Sequence, residues 1–401
     1  MTACARAEEL GRLERVVVVE RHGVRAPTKP PAALAPYSAT AWPEWPVAPG
    51  ELTPHGVAGI RLMGRYLREI YGARGVLPAS GCPAKGGVFV WADSADHRTM
   101  QSGDALLEGL APGCGLSAQH ATAGSADPLF SAAETGKCPI DPAQVKEVLE
   151  TGLRHLTADP ASPYASSLAA LAKLLRPSGC DGQDRRCFPH GQNSLAPSED
   201  GMKVKGPLAT GSTLTEALSL EYDEGMQGQS LGWGRMDFAT LSAVMPLHVL
   251  YSDLTRHNPI IAGHNAALMA RALLKALAGE PGFPGQAAPS AAFVGVLGHD
   301  TTLANLGGVL GVNWTLPGQP DSTPPGGALV FEVFASASPA TRQVRVHLLY
   351  QTADQIRTLA ELNAAHPPGS VDLTPSLCHA QSCTLAELQT RMAAAIPPTC
   401  Q

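Results

Sequence analysis

Three stretches hold side chains whose types and spacing could do chemistry on an anion. The first is Arg21-His22-Gly23-Val24-Arg25-Ala26-Pro27-Thr28-Lys29, the second runs from Asp93 to Thr99 and carries Arg98, and the third begins at His299-Asp300. Guanidinium groups are planar and always charged, and they pair two-pronged with phosphate oxygens where a lysine acts only as a point charge. A neutral imidazole among them has a nitrogen able to attack phosphorus in line. Taken singly, each stretch has an ordinary explanation: a polar turn with two solvated arginines, a solvated Arg98, and an Asp300 that caps a helix. Their shared context changes the reading, because all three sit between a short apolar run and a helical pattern. Parallel strands bring such junctions to one edge of a sheet, where open α/β folds bind ligands.

The elements that must position these groups are legible around them. Val16-Val17-Val18-Val19-Glu20 is rich in β-branched residues and reads as a buried strand. Gly23 then allows a sharp turn and Pro27 stiffens the exit, so the loop holds its cations ready. Val88–Trp91 and Phe293–Leu297 read as two further strands, and strands at 328–334 and 343–350 complete the sheet layer. Thr53-Pro54 reads as the start of a helix with Ile60, Met63, Leu67 and Ile70 on its apolar face, ending at Gly72 and Gly75. A second helix runs to about Leu110, with Arg98 near its anion-favouring start. From Gly136 to about Asp253 the pattern is mostly helical, with helices near 143–156, 164–175, 207–225 and 236–254 and an irregular stretch at 176–206. Helices at 256–280, 299–306 and 384–395 follow. The fold class expected is α/β, a mainly parallel-type central sheet flanked by helices, with a second, mostly helical domain. The boundaries expected are a discontinuous core at 8–135 and 256–401 and a helical cap at 136–255. Trp42-Pro43-Glu44-Trp45-Pro46 lies in a loop expected to pack on the body rather than wall a pocket. No internal repeat or low-complexity tract interrupts the chain.

Composition bounds the partners. The 401 residues are 44% hydrophobic, enough for a sizeable core, and the net charge of -6 with a pI near 6.1 makes a general polyanion binder a poor fit. An anion site must then be a local basic pocket, and nucleic acid is not an expected partner. No apolar run reaches the roughly 18 residues a membrane span needs. Nine cysteines stand at 4, 82, 114, 138, 180, 187, 378, 383 and 400, with no Cys-x-x-Cys and no His-Glu-x-x-His, so no metal site is expected. Their dispersal fits an oxidising compartment, and the short spacings 180/187 and 378/383 suggest two locally closed loops. Ala5-Arg6-Ala7 has the small-x-small form of a signal-peptidase site with no hydrophobic stretch before it, and no role is assigned to it.

The nine residues Arg21 to Lys29 resemble the signature loop of the histidine acid phosphatases, in particular their bacterial periplasmic phytase branch. The likeness continues through His299-Asp300-Thr301, Gly307-Gly308, Asn313 to Pro320 and Thr323-Pro324-Pro325-Gly326-Gly327. It implies a phosphoglycerate mutase-like core, a periplasmic or secreted monomer, no cofactor, and bridges Cys82–Cys114 and Cys138–Cys400 with Cys4 left over. It implies His22 as nucleophile and Asp300 as proton donor to the leaving group. Arg21, Arg25, Arg98 and His299 would then surround the phosphoryl group, with Thr28 and Lys29 lining the entrance. Glu216 falls where the phytase branch has a helix-borne acidic residue facing substrate, although Glu221, Asp223 and Glu224 could serve equally well. Thr302 departs from the pattern, which usually has Asn there.

A phosphate monoester demands an acceleration approaching ~10²¹-fold, which must come from positioning and charge. A ring of guanidinium groups binds the charge-spread transition state better than the ground state. A protonated Asp300 implies an acid optimum. The reaction expected is stepwise hydrolysis of inositol hexakisphosphate through a phosphohistidine. Glucose 1-phosphate or a broad range of phosphate esters are the alternative substrates. A phosphoglycerate mutase-like protein shares the Arg-His-Gly opening but has little need of disulfides. A non-catalytic phosphate binder has no need of both His22 and Asp300.

Overall fold

The structure, a computed structural model, describes residues 10–400 apart from 181–186, 199–200, 288–289, 337–340, 379 and 381. Cys4 and Ala5-Arg6-Ala7 lie outside the described residues. Strand β1, Leu13–Arg21, has no exposure at any of Val16 to Val19 and runs through the middle of the main sheet. Its valines alternate between two cores, Val16 and Val18 on one face and Val17 and Val19 on the other, as the two-residue period of a strand requires. Strand β2 is Val88–Ala92, β3 and β4 are Ser194–Ser198 and Gly201–Lys205, β5 is Phe293–Gly298, and β6 is Ala328–Phe334. Strands β7 (Gln343–Tyr350), β8 (Gly369–Asp372) and β9 (Cys383–Thr384) follow. The sheet order is β2-β5-β1-β6-β7-β8, with β9 beside β7. The sheet is mixed: β2, β5 and β1 are parallel, and β6 to β9 pair antiparallel.

Register carries the chemistry. Arg21 stands opposite Gly298 and Ala92 opposite Leu297, so the three parallel strands end side by side. The loops leaving them are tied together by backbone bonds from His22 N–H to Gly298 O (2.9 Å) and from Asp93 N–H to Leu297 O (3.0 Å).

Helices α1 (Pro54–Ala73) and α2 (His97–Leu110) supply apolar residues to one core, and α1 begins at a Thr53 side chain that accepts from Gly56 N–H. The signature loop is pressed against that start. A Cβ on Gly23 would lie 2.5 Å from the Gly56 carbonyl oxygen, and one on Gly56 would collide with the Val24 backbone, so both positions need glycine. The residues from Gly136 onward form α3 (Pro142–Ala158), α4 (Tyr164–Leu175), α5 (Pro207–Asp223), α6 (Phe238–Val244) and α7 (Pro246–Ser252). These share a separate apolar cluster that includes Leu149, Leu171, Leu214, Leu218 and Leu247. Trp42 packs into it, edge-on to Trp233 at 4.9 Å, as expected of a loop that covers the body. Helices α8 (Pro259–Asn265), α9 (Ala267–Ala278), α10 (Asp300–Leu310) and α11 (Leu385–Ala395) contribute to the second face of the sheet.

Three local expectations change. The helix read over 236–254 is two, divided at Pro246, which has no N–H to continue the first. A π-helical turn at Asp253–His257 and Pro259 likewise break up the helix read over 256–280. The stretch 176–206, read as irregular, contains the β3–β4 hairpin. Disulfides join Cys82 to Cys114, Cys138 to Cys400, Cys180 to Cys187, and Cys378 to Cys383.

Candidate active site

His22 is the first residue beyond β1 and only 1% exposed. Its Nδ1 lies 2.8 Å from the carbonyl oxygen of Gly23, which can only accept, so Nδ1 carries the proton and Nε2 keeps a lone pair. Burial, reinforced by the charges of Arg98, Arg21, His299 and Arg25, pushes the imidazole well below its usual range. The ring is therefore neutral and nucleophilic in acid, where an exposed histidine would be protonated.

Around it stand the guanidinium groups. Arg21, at the end of β1, donates to Asp321 Oδ2 at 2.9 Å and to the Thr323 carbonyl. Arg25 donates to Glu216 Oε1 at 2.6 Å, and Arg21 approaches the same oxygen at 3.6 Å. Arg98, in the first turn of α2, is held two-pronged by Asp96 at 2.8 and 2.7 Å. The Nε–H groups of all three arginines are buried without a hydrogen-bond partner. Unpaired buried donors on cations cost free energy until an acceptor arrives, so the cluster is built to receive an anion.

His299 is held from both sides. Arg98 donates to its Nδ1 at 3.3 Å, so Nε2 carries the proton and donates to Asp93 Oδ2 at 2.9 Å. Its ring meets that of His22 edge-on at 5.5 Å. His299 can offer a proton to a bound anion from Nδ1 only when Arg98 leaves that nitrogen and a proton takes its place.

Asp300 opens α10 and is 8% exposed. It is paired with Arg256, and His248 Nε2 lies 3.9 Å from the same oxygen. Burial alone would raise its carboxyl, but the nearby charges of Arg256, Arg21, His248 and Arg25 win and hold it well below the usual carboxylate range. Asp300 therefore rests ionised, not protonated as leaving-group chemistry asks, because its cationic neighbours outweigh its burial. Thr302, the departure from the family pattern, accepts from His299 N–H at 3.1 Å and so braces the start of α10.

Glu216 is on α5, as the helical reading expects, and its carboxylate sits on the arginines themselves. Burial would raise its carboxyl, yet Arg25 and His248 pull it below the ordinary value. Glu221 accepts from Gly232 N–H at 2.9 Å, and Glu224 accepts from the Thr53 hydroxyl at 2.6 Å. Thr28 and Lys29 are exposed at the rim. Lys29 lines a cavity of about 370 Å³ with Lys205 and Thr213.

Sequence reading missed Arg256, His248, Asp93, Asp96 and Asp321. Asp93 and Asp96 share a stretch with Arg98 and could have been found as its partners. Arg256 and His248 lie in ordinary helical patterns and carry no signal until the chain folds. Glu216, His248 and Asp300 present atoms within 4.8 Å of one another, a spacing that suits a cation. Arg25 and Arg256 already pair with those carboxylates, so a metal ion would have to displace guanidinium groups. The Cys138, Cys400 and His264 cluster has both sulfurs committed to a disulfide.

Comparison with known proteins gives a consistent picture. The histidine phosphatase superfamily (branch 2) matches residues 12–350. Phytase AppA of Escherichia coli (strain K12) is 36% identical, with 96% of this chain and 92% of that protein aligned. A glucose-1-phosphatase of Salmonella typhimurium is 29% identical over 92% of this chain and 88% of that protein. The apo form of Hafnia alvei phytase has a TM-score of 0.88 at 36% identity, covering 97% of this chain and 98% of that one. The phytase of Citrobacter braakii has a TM-score of 0.87 at 33% identity, covering 97% and 99%.

Proposed function

This chain belongs to the histidine phosphatase superfamily (branch 2), and from that premise we propose that it is an exported phytase. It is a phosphomonoesterase of the histidine acid phosphatase type. The reaction we assign is stepwise removal of phosphates from inositol hexakisphosphate through a phosphohistidine on His22. The observation that carries the chemistry is the bare Nε2 of His22 beside three arginines with unpartnered Nε–H groups.

In this reading a phosphoryl group docks on Arg21, Arg25 and Arg98 and displaces the Glu216 carboxylate. His22 Nε2 attacks phosphorus as the ester oxygen departs, and water then displaces the imidazole. The arginines contact the equatorial oxygens, where transition-state charge accumulates. His299 joins them once Arg98 turns from its Nδ1 to the phosphate and a proton takes the place of that contact. The incoming dianion also cancels the positive field that holds Asp300 low. Burial, the largest influence on that carboxyl, then raises it, so substrate binding itself prepares the general acid.

Glu216 belongs to the helical cap at 136–255, while the nucleophile, the arginines and Asp300 belong to the core at 8–135 and 256–401. Four disulfides support an oxidising, periplasmic or secreted setting for a monomer. Among the described residues no helix is long and apolar enough to cross a membrane. Lys29 and Lys205 on one cavity wall support a substrate with several phosphates. A glucose-1-phosphatase is the second reading, favoured by that relative. Comparing kcat/KM for phytate, glucose 1-phosphate and p-nitrophenyl phosphate decides between them. A phytate value below that for glucose 1-phosphate rejects the phytase assignment.

A further inference from the structure

His248 is the one imidazole at this centre with no part in the scheme above. It is 3% exposed, and its Nε2 has no hydrogen-bond partner. An unpaired buried ring nitrogen is costly, so its surroundings need an explanation. Nδ1 lies 3.1 Å from the Ser212 hydroxyl on α5, which fixes the ring plane, and Nε2 lies 3.9 Å from Asp300 Oδ2. A Glu216 oxygen, the Asp300 oxygen and a His248 nitrogen fall within 4.8 Å of one another. The ring therefore comes from α7 to stand between two carboxylates, one from α5 and one from the start of α10.

We propose that His248 is the proton reserve of Asp300, a positioning residue of the cap that supplies the general acid of the core. The inference rests on Asp300 acting as that acid. When phosphate displaces Glu216 from Arg25, His248 in its imidazolium form, with Nδ1–H donating to the Ser212 hydroxyl, passes its Nε2 proton to Asp300 Oδ2 and is left as the neutral imidazole. The 3.9 Å gap closes by a small ring rotation or is bridged by one water, as catalytic contacts in empty sites commonly are. An N–H bond breaks and an O–H bond forms. The carboxyl then protonates the departing ester oxygen while that oxygen's bond to phosphorus breaks and the His22 Nε2–phosphorus bond forms. In the second half, the Asp300 carboxylate takes a proton from the attacking water as the His22–phosphorus bond breaks, and that proton returns to His248. The net change is one water consumed, one alcohol and one phosphate released.

The charged and titratable groups around the imidazole are Glu216 from α5, Asp300 from α10, Arg256 from the π-helical turn after α7, and Arg21 and Arg25 from the end of β1 and its loop. The alkaline limb of activity on esters with poor leaving groups should therefore belong to the His248 and Asp300 pair rather than to either alone.

The test measures kcat/KM against pH for glycerol 2-phosphate, whose alkoxide needs a proton, and for p-nitrophenyl phosphate, whose leaving group does not. His248→Gln is expected to lower the glycerol 2-phosphate value roughly tenfold on the alkaline side, a part of the 10² to 10⁴ that general acids supply. The limb should move to lower pH while the nitrophenyl profile keeps its shape. In an Asp300→Asn background the same substitution should add no further loss. Equal loss on both esters, a further loss in that background, or an unmoved limb overturns the proposal. If Asp300→Asn itself does not discriminate between the esters, the general-acid reading fails first. Ser212→Ala, which only frees Nδ1, serves if His248→Gln does not fold. A smaller shift of the same limb is expected from it, and an unmoved limb again overturns the role.

Discussion

Glu216 occupies the place a phosphate needs, and replacing it with Gln should tighten phosphate binding. Its Oε1 accepts from Arg25 at 2.6 Å and approaches Arg21 at 3.6 Å, with its side chain 18% exposed. A hydrogen bond to a charged group contributes roughly 1.5–3 kcal/mol net, and a neutral one about 0.5–1.5 kcal/mol. The amide oxygen of Gln still accepts from Arg25, so the difference a phosphate no longer has to overcome is about 1–2 kcal/mol. At about 1.4 kcal/mol per tenfold, that converts to a roughly 5- to 30-fold lower inhibition constant for inorganic phosphate. The assay is competitive inhibition of p-nitrophenyl phosphate hydrolysis at fixed pH and ionic strength, with calorimetric titration of phosphate as a direct check. Because the ligand is phosphate alone, any contact Glu216 makes with the rest of a substrate does not enter. An unchanged or weaker inhibition constant in Glu216→Gln would refute the idea that this carboxylate competes for the arginines.

Two further outcomes follow from the same geometry. His22→Ala should leave no phosphoenzyme to trap when the reaction is quenched without acid, and label still bound would place the nucleophile elsewhere. Arg256→Gln removes the guanidinium paired with Asp300, which should raise that carboxyl and cost stability at neutral pH. A depressed carboxyl stabilises the fold above its unfolded value and loses that contribution as pH falls through its folded value. The urea midpoints of the two proteins should therefore differ at pH 7 and converge in strong acid, and a gap independent of pH would count against the pairing.

Several parts of this molecule were legible before folding because they depend on neighbours in sequence. The valines of β1 form the buried strand their β-branched run suggests, and Thr53-Pro54 caps and opens α1. The three clusters at strand ends could be read as one site because parallel strands place their carboxyl ends together. Arg21 opposite Gly298 and Ala92 opposite Leu297 realise that arrangement. Helix lengths were less legible where proline and a π-helical turn redirect the chain, since period alone does not register a break that keeps the apolar face aligned.

What sequence by itself determined is the chemical inventory: an imidazole between arginines, the carboxyl at a helix start, and the elements that carry each of them. Tertiary structure alone decided their working states. His248 reaches Asp300 from a separately packed helical region, Arg256 reaches it from the π-helical turn that follows, and Glu216 leans across from that helical region onto Arg21 and Arg25. Proton affinity depends on burial and on charges a few ångströms away, whatever their separation along the chain. That is why residue types could propose Asp300 and His22 for acid and nucleophile, while only the assembled site could say that one rests ionised and the other neutral.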